Sequence, residues 1–232
     1  MKFTQLAEPQ IEKPLMVAAL QDMGNVGNLV INHINKSKKS VPFRRAESTQ
    51  ISYVLDQGGY IEIPKEGWQY SYAKNIIVFG GGVGQPKTTE ELHELCQDVI
   101  DTAKRYSVKF IYSLGGFHTT RPIRNDHKTY VTTTSQDLTR QLEKMGTSMT
   151  PTKSVITGFN GLILGYAKTN DIQGIGLYGE LNDPSIPQYR TAKSVLQTLE
   201  KLTYQSFGDY HELDVMADDI ERKLKSGWNK DY

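Results

Sequence analysis

The fold is decided by residues 75–114, which read NIIVFGGGVGQPKTTEELHELCQDVIDTAKRYSVKFIYSL. Apolar runs at residues 75–79 and 108–114 are typical of buried strands. Between them, apolar residues at helical spacing predict a helix from Thr88 to Tyr106, and Thr88 with Glu91 has the spacing of a capping box. A buried strand, a helix and a second buried strand indicate a crossover unit in a sheet with parallel pairs. The sequence therefore predicts an α/β fold.

The same alternation continues in both directions along the chain. Further strands are predicted at residues 14–20, 130–134, 154–157 and 172–178. Further helices are predicted after the turn at residues 24–27, between Ser135 and Gly146, through Leu162 and Ala167, and at about residues 187–202 and 210–225. The longest loops are expected at residues 36–47 and 113–129. No low-complexity linker or internal repeat divides the sequence, so we expect one domain over residues 1–232 with a short tail from about residue 226.

Composition excludes several classes of function. The 232 residues are 38% hydrophobic and 23% charged, with a formal net charge of +1. A nearly neutral chain has no overall field that attracts polyanions, so neither a nucleic acid nor a membrane is predicted as a partner. No apolar run approaches the ~20 residues that a membrane-spanning helix needs. Cys96 is the single cysteine, which fits a reducing compartment, and we expect a cytoplasmic protein.

Glycines cluster where predicted strands end, which raises the question of a ligand site. In open α/β sheets, ligands favour the crevice at the carboxyl ends of the strands. A crevice of this kind would contain Gly24, Asn25, Gly81, Gly116, His118, Arg121, Asn160 and Glu180. Its polar side chains would bind a phosphate or a sugar. Alternatively, these glycines only make tight turns after buried strands.

Neither of the common phosphate-binding fingerprints is present, since the chain contains no GxxxxGK[ST] segment and its first glycine turn is not GxGxxG. The five histidines lack metal-ligand spacing. The sequence also shows no pairing of a nucleophile with a base. No catalytic residue, metal or cofactor is therefore predicted. Tyr70 and Tyr72, which lie beside Trp68, are candidates for a protein interface, or for cover over the core.

Several of these segments together carry a resemblance to a known family. They are MGNVG at residues 23–27, GGG at 80–82, LGG at 114–116, ITGFNGLILG at 156–165, GIGLYGE at 174–180 and Asp183-Pro184. In this order, followed by two amphipathic helices, they resemble the PAC2 or proteasome assembly chaperone family, especially its archaeal single-domain members. The resemblance runs from about Pro14 to Glu221.

The resemblance implies a three-layer α/β/α sandwich with a largely parallel or mixed sheet, similar to phosphorylase and hydrolase domains. It also implies a homo-oligomer that binds proteasome core-particle subunits without catalysis. In some members, a C-terminal tail with a penultimate tyrosine enters pockets of the proteasome. Here the tail ends with Lys230, Asp231 and Tyr232, so tyrosine is last and the pattern is not matched. These three residues are nevertheless the predicted partner-binding residues.

Two other classes of function stay open at this point. A small-molecule enzyme, such as a nucleoside or phosphate-ester hydrolase or phosphorylase, would need His118, Arg121 and Glu180 to converge in the crevice. A metabolite-binding protein would use the crevice without catalytic groups. The leading hypothesis remains a non-enzymatic protein-binding module.

Overall fold

The computed structural model describes residues 1–82, 84–123 and 127–228. The strands are β1 (Lys2–Gln5), β2 (Leu15–Ala18), β3 (Val41–Glu47), β4 (Leu55–Asp56), β5 (Ile61–Glu62), β6 (Gly67–Ala73), β7 (Ile76–Gly80), β8 (Phe110–His118), β9 (Thr129–Thr133), β10 (Ser148–Met149) and β11 (Gln173–Leu181). The helices are α1 (Val26–Lys38), α2 (Thr89–Arg105), α3 (Gln136–Lys144), α4 (Gly158–Thr169), α5 (Tyr189–Thr203) and α6 (His211–Trp228). A 3-10 turn, Met23–Asn25, precedes α1.

One mixed sheet organises the described part of the chain. Its strand order is β1-β3-β6-β7-β2-β8-β11-β9-β10. The central strands β7, β2, β8 and β11 are parallel to their neighbours within this group. On one side β6, β3 and β1 continue the sheet in antiparallel fashion, and on the other β9 is antiparallel to β11. The predicted mixed α/β fold is confirmed.

Each face of this sheet has its own apolar core. One core is formed by residues on one face of the sheet together with α1, α3, α5 and α6. The other joins the opposite face to α2 and α4. Alternation along β2 shows how the sequence feeds both cores, because Val17 belongs to the first and Met16 and Ala18 belong to the second. Parallel central strands are buried on both faces for this reason. The arrangement is the predicted three-layer sandwich.

Helix α2 begins as the sequence predicts, although its capping residues divide their roles differently. Thr88 accepts a hydrogen bond from the backbone N–H of Glu91 at 3.3 Å. The Glu91 carboxylate does not complete the capping box. It accepts hydrogen bonds from the Ser48 hydroxyl at 2.7 Å and the Thr49 backbone N–H at 2.9 Å, which ties α2 to the end of β3. Glu91 is only 1% exposed, so these donors satisfy a buried carboxylate.

Three predictions about local structure are wrong, the first being the loop expected at residues 113–129, into which β8 extends as far as His118. Residues 154–157 form no strand, and Val155 is 87% exposed there. The loop predicted at residues 36–47 contains the end of α1 and the whole of β3. In β3 the register shifts between Pro42 and Arg44, which interrupts the alternation by which a strand is recognised.

Candidate functional site

A cavity of about 500 Å³ opens at the carboxyl ends of the parallel strands β2, β8 and β11. Its walls consist of Asp22, Met23, Gln85, residues 115–118, Thr150, residues 154–158, Asn160 and Tyr178. This is the edge at which open α/β sheets bind ligands, because the strands end there and the following turns leave a crevice. The beginning of α4 forms one side of it.

The carboxyl group of Asp22 occupies the centre of this arrangement. One carboxylate oxygen, Oδ1, accepts a hydrogen bond from the backbone N–H of Gly27 at 2.9 Å. The other, Oδ2, accepts one from the backbone N–H of Gly116. Burial raises the pKa of Asp22 from 3.8 to about 7, even though these two backbone hydrogen bonds act in the opposite direction. Asp22 therefore changes charge near neutral pH.

Gly115 lets the Asp22 carboxyl approach β8 closely. A Cβ atom at position 115 would lie 2.9 Å from Asp22 Oδ2 and 3.2 Å from the ring of Tyr178. The first contact is shorter than real Cβ atoms show, and the second is tighter than most. Close approach of the Asp22 side chain thus favours glycine at this buried position of β8.

Asn160 fastens α4 to the central strands. Its side chain donates to the Leu20 carbonyl oxygen at 3.2 Å and accepts from the Leu20 N–H at 3.0 Å. Its own carbonyl oxygen accepts from the hydroxyl groups of Ser113 at 2.6 Å and Tyr178 at 2.9 Å. Both polar atoms of the Asn160 side chain are therefore hydrogen-bonded to the backbone of Leu20. These contacts fix the position of α4, which forms one wall of the cavity.

Of the eight crevice residues predicted from the sequence, the structure brings Gly116, His118 and Asn160 to the cavity. Gly24, Asn25, Gly81, Arg121 and Glu180 do not line it. Gly24 and Asn25 both have positive φ values, 63° and 55°, and form the turn before α1. A Cβ on Gly81 would meet the backbone of Gly67 and Trp68 at 3.1 Å. These positions serve chain turns and close packing.

The charged residues of the predicted cluster do not meet in the cavity. The Glu180 carboxylate accepts hydrogen bonds from the Lys128 N–H at 3.0 Å and the Tyr130 hydroxyl at 3.4 Å. Arg121 is exposed beyond the end of β8. Only His118 of the three faces the cavity, so the convergence that an anion-binding enzyme would need is absent from the described residues.

Sequence reasoning missed Asp22, which is the main ionisable group of the cavity. One signal was available, since Asp22 follows a buried strand in the same way as the glycines that were considered. Its hydrogen-bond donor Gly116 is 94 residues away in the chain. A single carboxyl after a strand is an ordinary turn residue until that distant contact is known.

Other candidate chemistry is limited in the part of the chain that the structure describes. No group of three or more His, Cys, Asp or Glu residues there is placed to hold a metal ion. Among the described helices, none is long and apolar enough to cross a bilayer. Burial raises the pKa of the Cys96 thiol to about 12. The predicted partner-binding residues Lys230, Asp231 and Tyr232 lie outside the described residues.

Exposed apolar side chains concentrate on the hairpin of β4 and β5. Of the two candidate interface aromatics, Tyr70 is buried in the core and Tyr72 packs partly buried against it, so both cover the core. The hairpin forms a separate two-stranded sheet. Its apolar residues are 39–67% exposed, and they are Tyr53, Val54, Leu55, Tyr60, Ile61 and Ile63. Exposed apolar surface of this kind is typical of protein contacts.

Comparison with known proteins gives a consistent result. The model of the PAC2 family matches residues 16–226. An uncharacterised protein of Methanocaldococcus jannaschii is 26% identical over 222 residues, which is 93% of this chain and 80% of that protein. Among solved structures, Pyrococcus furiosus PbaB, described as an archaeal proteasome activator, is 22% identical with a TM-score of 0.83 over 97% of each chain. P. furiosus PbaA, described as an archaeal homologue of proteasome-assembly chaperone, is 20% identical with a TM-score of 0.77 over 96% of this chain and 95% of its own.

Proposed function

The chain belongs to the PAC2 family, and from this we propose that it is a non-enzymatic, homo-oligomeric protein that binds subunits of the proteasome core particle. It helps those subunits to assemble or binds the assembled core. The family match over residues 16–226 carries the proposal. The likeness to a proteasome activator and to an assembly-chaperone homologue supports it at the level of the fold.

The β4–β5 hairpin is the proposed surface for these protein contacts. It stands outside the main sheet, and Tyr60, Ile61 and Ile63 are its most exposed apolar side chains. Transferring such side chains from water into an interface stabilises a complex by roughly 25 cal/mol for each Å² of apolar surface buried. Charged substitutions at the same positions would oppose that transfer.

The experiment is an affinity pull-down of the tagged protein from the lysate of its own host, with bound proteins identified by mass spectrometry. Wild-type protein is expected to enrich core-particle subunits. The double variant Ile61→Glu/Ile63→Glu is expected to lose them. The matched control Val215→Glu/Met216→Glu changes two exposed apolar residues of α6 and should retain them. Since all four side chains are exposed, both variants should fold.

A third variant tests the tail independently by deleting Lys230, Asp231 and Tyr232. Loss of core subunits on this deletion would assign the contact to the tail, in agreement with the partner-binding residues predicted from the sequence. Light scattering on the same samples measures the oligomer, whose mass should be a multiple of the chain mass. Failure of the wild-type protein to enrich core subunits at low salt would refute the proposed function.

A further inference from the structure

We propose that the cavity at the ends of β2, β8 and β11 binds a small organic amine, with the ammonium group on the Asp22 carboxylate and an apolar body against the surrounding walls. A volume of about 500 Å³ lies within the range of roughly 300–1,000 Å³ found for small-molecule sites. Binding here is independent of the proposed proteasome contact, because the β4–β5 hairpin does not line the cavity.

The charge of the cavity decides between a cation and an anion. Among the described residues that line it, Asp22 is the one carboxylic acid, and none is a lysine or an arginine. Phosphate sites depend on such cations or on several convergent backbone donors. Of the backbone N–H groups beside the cavity, those of Gly27 and Gly116 already donate to Asp22, and that of Phe159 at the start of α4 donates to the Gln85 side chain at 2.7 Å. The cavity is therefore suited to a positively charged group.

The Asp22 carboxylate retains the capacity to accept more hydrogen bonds. An ionised carboxylate offers about four lone-pair positions on its two oxygens. Backbone N–H groups of Gly27 and Gly116 donate to one oxygen each, and the backbone of Asp22 itself also contributes, so the four positions are not all occupied and Asp22 lines the cavity. An ammonium group supplies up to three donors and one positive charge. It also replaces part of the solvation that burial removes from the carboxylate.

The walls around Asp22 are suited to the apolar part of such a ligand. They include the aromatic rings of Phe117 and Tyr178 and the aliphatic side chains of Met23 and Ile156. Aromatic faces within about 6 Å of an ammonium group add a favourable cation–π interaction. A ligand with an apolar body and one amino group would thus be complementary to both parts of the cavity.

Asp22 also has a structural role, since its two hydrogen bonds join the first turn of α1 to β8. The test must therefore report on the ligand and on the ionisation of Asp22 together. The titratable groups that line the cavity together with Asp22 are Tyr178 on β11 and His118 on β8, whereas α1 and α4 present Gly27 and Asn160. Burial raises the pKa of Tyr178 further above its usual range, so Tyr178 stays neutral.

The probe is phenethylamine, titrated into the full-length protein by calorimetry. Phenylacetate and 2-phenylethanol serve as comparison ligands, because they keep the aromatic body and replace the amine by a carboxylate or a hydroxyl group. Phenethylamine is expected to bind best at about pH 8, where Asp22 is ionised. Below about pH 7 its affinity should fall about tenfold for each pH unit. A His118→Gln variant should keep this dependence, which assigns it to Asp22. A ¹³C signal from the Asp22 carboxyl should titrate at lower pH when phenethylamine is present.

Met23→Lys tests the site without removing the structural hydrogen bonds of Asp22. Met23 lines the cavity and is 46% exposed, so a lysine there should place an ammonium group in the cavity with Asp22 at little cost to folding. The affinity for phenethylamine should fall at least about tenfold. The control Met216→Lys, 37% exposed on α6, should leave it unchanged. Equal binding of the three probes, no binding of phenethylamine at millimolar concentration, or an unchanged affinity in Met23→Lys would overturn the proposal.

Discussion

Replacement of Asp22 by Asn should change how the stability of the protein depends on pH. The folded-state pKa of Asp22 is about 7, compared with 3.8 for an ordinary aspartate. The folded state holds the carboxyl proton of Asp22 more tightly than the unfolded state does. The contribution of this proton to the stability of the fold is therefore fully present below about pH 3.8. It is lost progressively as the pH rises to about 7. The wild-type protein should therefore lose stability relative to Asp22→Asn between about pH 4 and pH 8.

The magnitude follows from the two pKa values. At about 1.4 kcal/mol for each pH unit, the interval from 3.8 to about 7 corresponds to about 4 kcal/mol. The variant adds a cost of its own, because the Asn side-chain amide cannot accept both N–H groups of Gly27 and Gly116. An unsatisfied buried donor costs about 1–3 kcal/mol. That cost is the same at every pH and so leaves the slope unchanged.

The assay is urea unfolding of both proteins at a series of pH values from about 4 to 8. The other carboxyl groups are present in both proteins and cancel in the difference between the two free energies of unfolding. That difference should change by about 4 kcal/mol over the series, with the variant gaining as the pH rises. A difference that stays constant within about 1 kcal/mol would refute the reasoning, since Asp22 would then be ionised as an ordinary aspartate in the fold.

Two further predictions concern the core around α2. Asp98 accepts hydrogen bonds from the guanidinium of Arg44 and, at 2.6 Å, from the hydroxyl of Tyr70. Asp98→Ala should lower the free energy of unfolding by about 3–5 kcal/mol, because it leaves the partly buried Arg44 cation unpaired. The control Asp101→Ala, at an exposed site of α2, should change it by less than about 0.5 kcal/mol. Similar losses for both variants in urea unfolding would contradict this prediction. Cys96, with its buried thiol and a pKa raised to about 12, should not react with Ellman's reagent at about pH 8 until the protein unfolds, and rapid labelling of the native protein would show otherwise.

The elements that the sequence predicts well are those whose pattern is regular and long. The helix expected from Thr88 to Tyr106 is observed as α2, and the strand expected at residues 75–79 is observed as β7. Both are set by local signals, a cap and a continuous apolar run, that the tertiary structure does not alter. The crossover unit that they form places β2 between β7 and β8 in the sheet.

Elements that depend on contacts with distant parts of the same chain are harder to predict. β3 escapes recognition because its buried residues Phe43 and Ala46 are three positions apart, with Phe43 at the register shift between Pro42 and Arg44. Residues 154–157 contain three β-branched residues in succession and nevertheless form no strand. β-branched residues form a strand only where a partner strand pairs with them, and in this fold the segment lines the cavity instead.

The candidate site shows the same division between local and distant information. The sequence places Gly116 and His118 at the carboxyl end of a strand, and both line the cavity. It also groups Arg121 and Glu180 with them. Glu180 lies in a strand, where a shift of one residue moves a side chain to the opposite face of the sheet. Arg121 lies in a loop, where the sequence does not determine the direction of the side chain. Only the fold separates these two residues from the cavity.

The glycines after the strands therefore do not share one explanation. Gly24 is explained by a turn and Gly81 by close packing, which agrees with the alternative that these glycines serve turns and not a ligand site. Gly115 is different, since the space that its missing Cβ leaves is taken by the Asp22 carboxyl and the ring of Tyr178. Gly115 thus marks the place where the Asp22 carboxyl packs against β8 at the wall of the cavity. The glycine pattern alone would have suggested a phosphate there, whereas the structure places a carboxylate beside it.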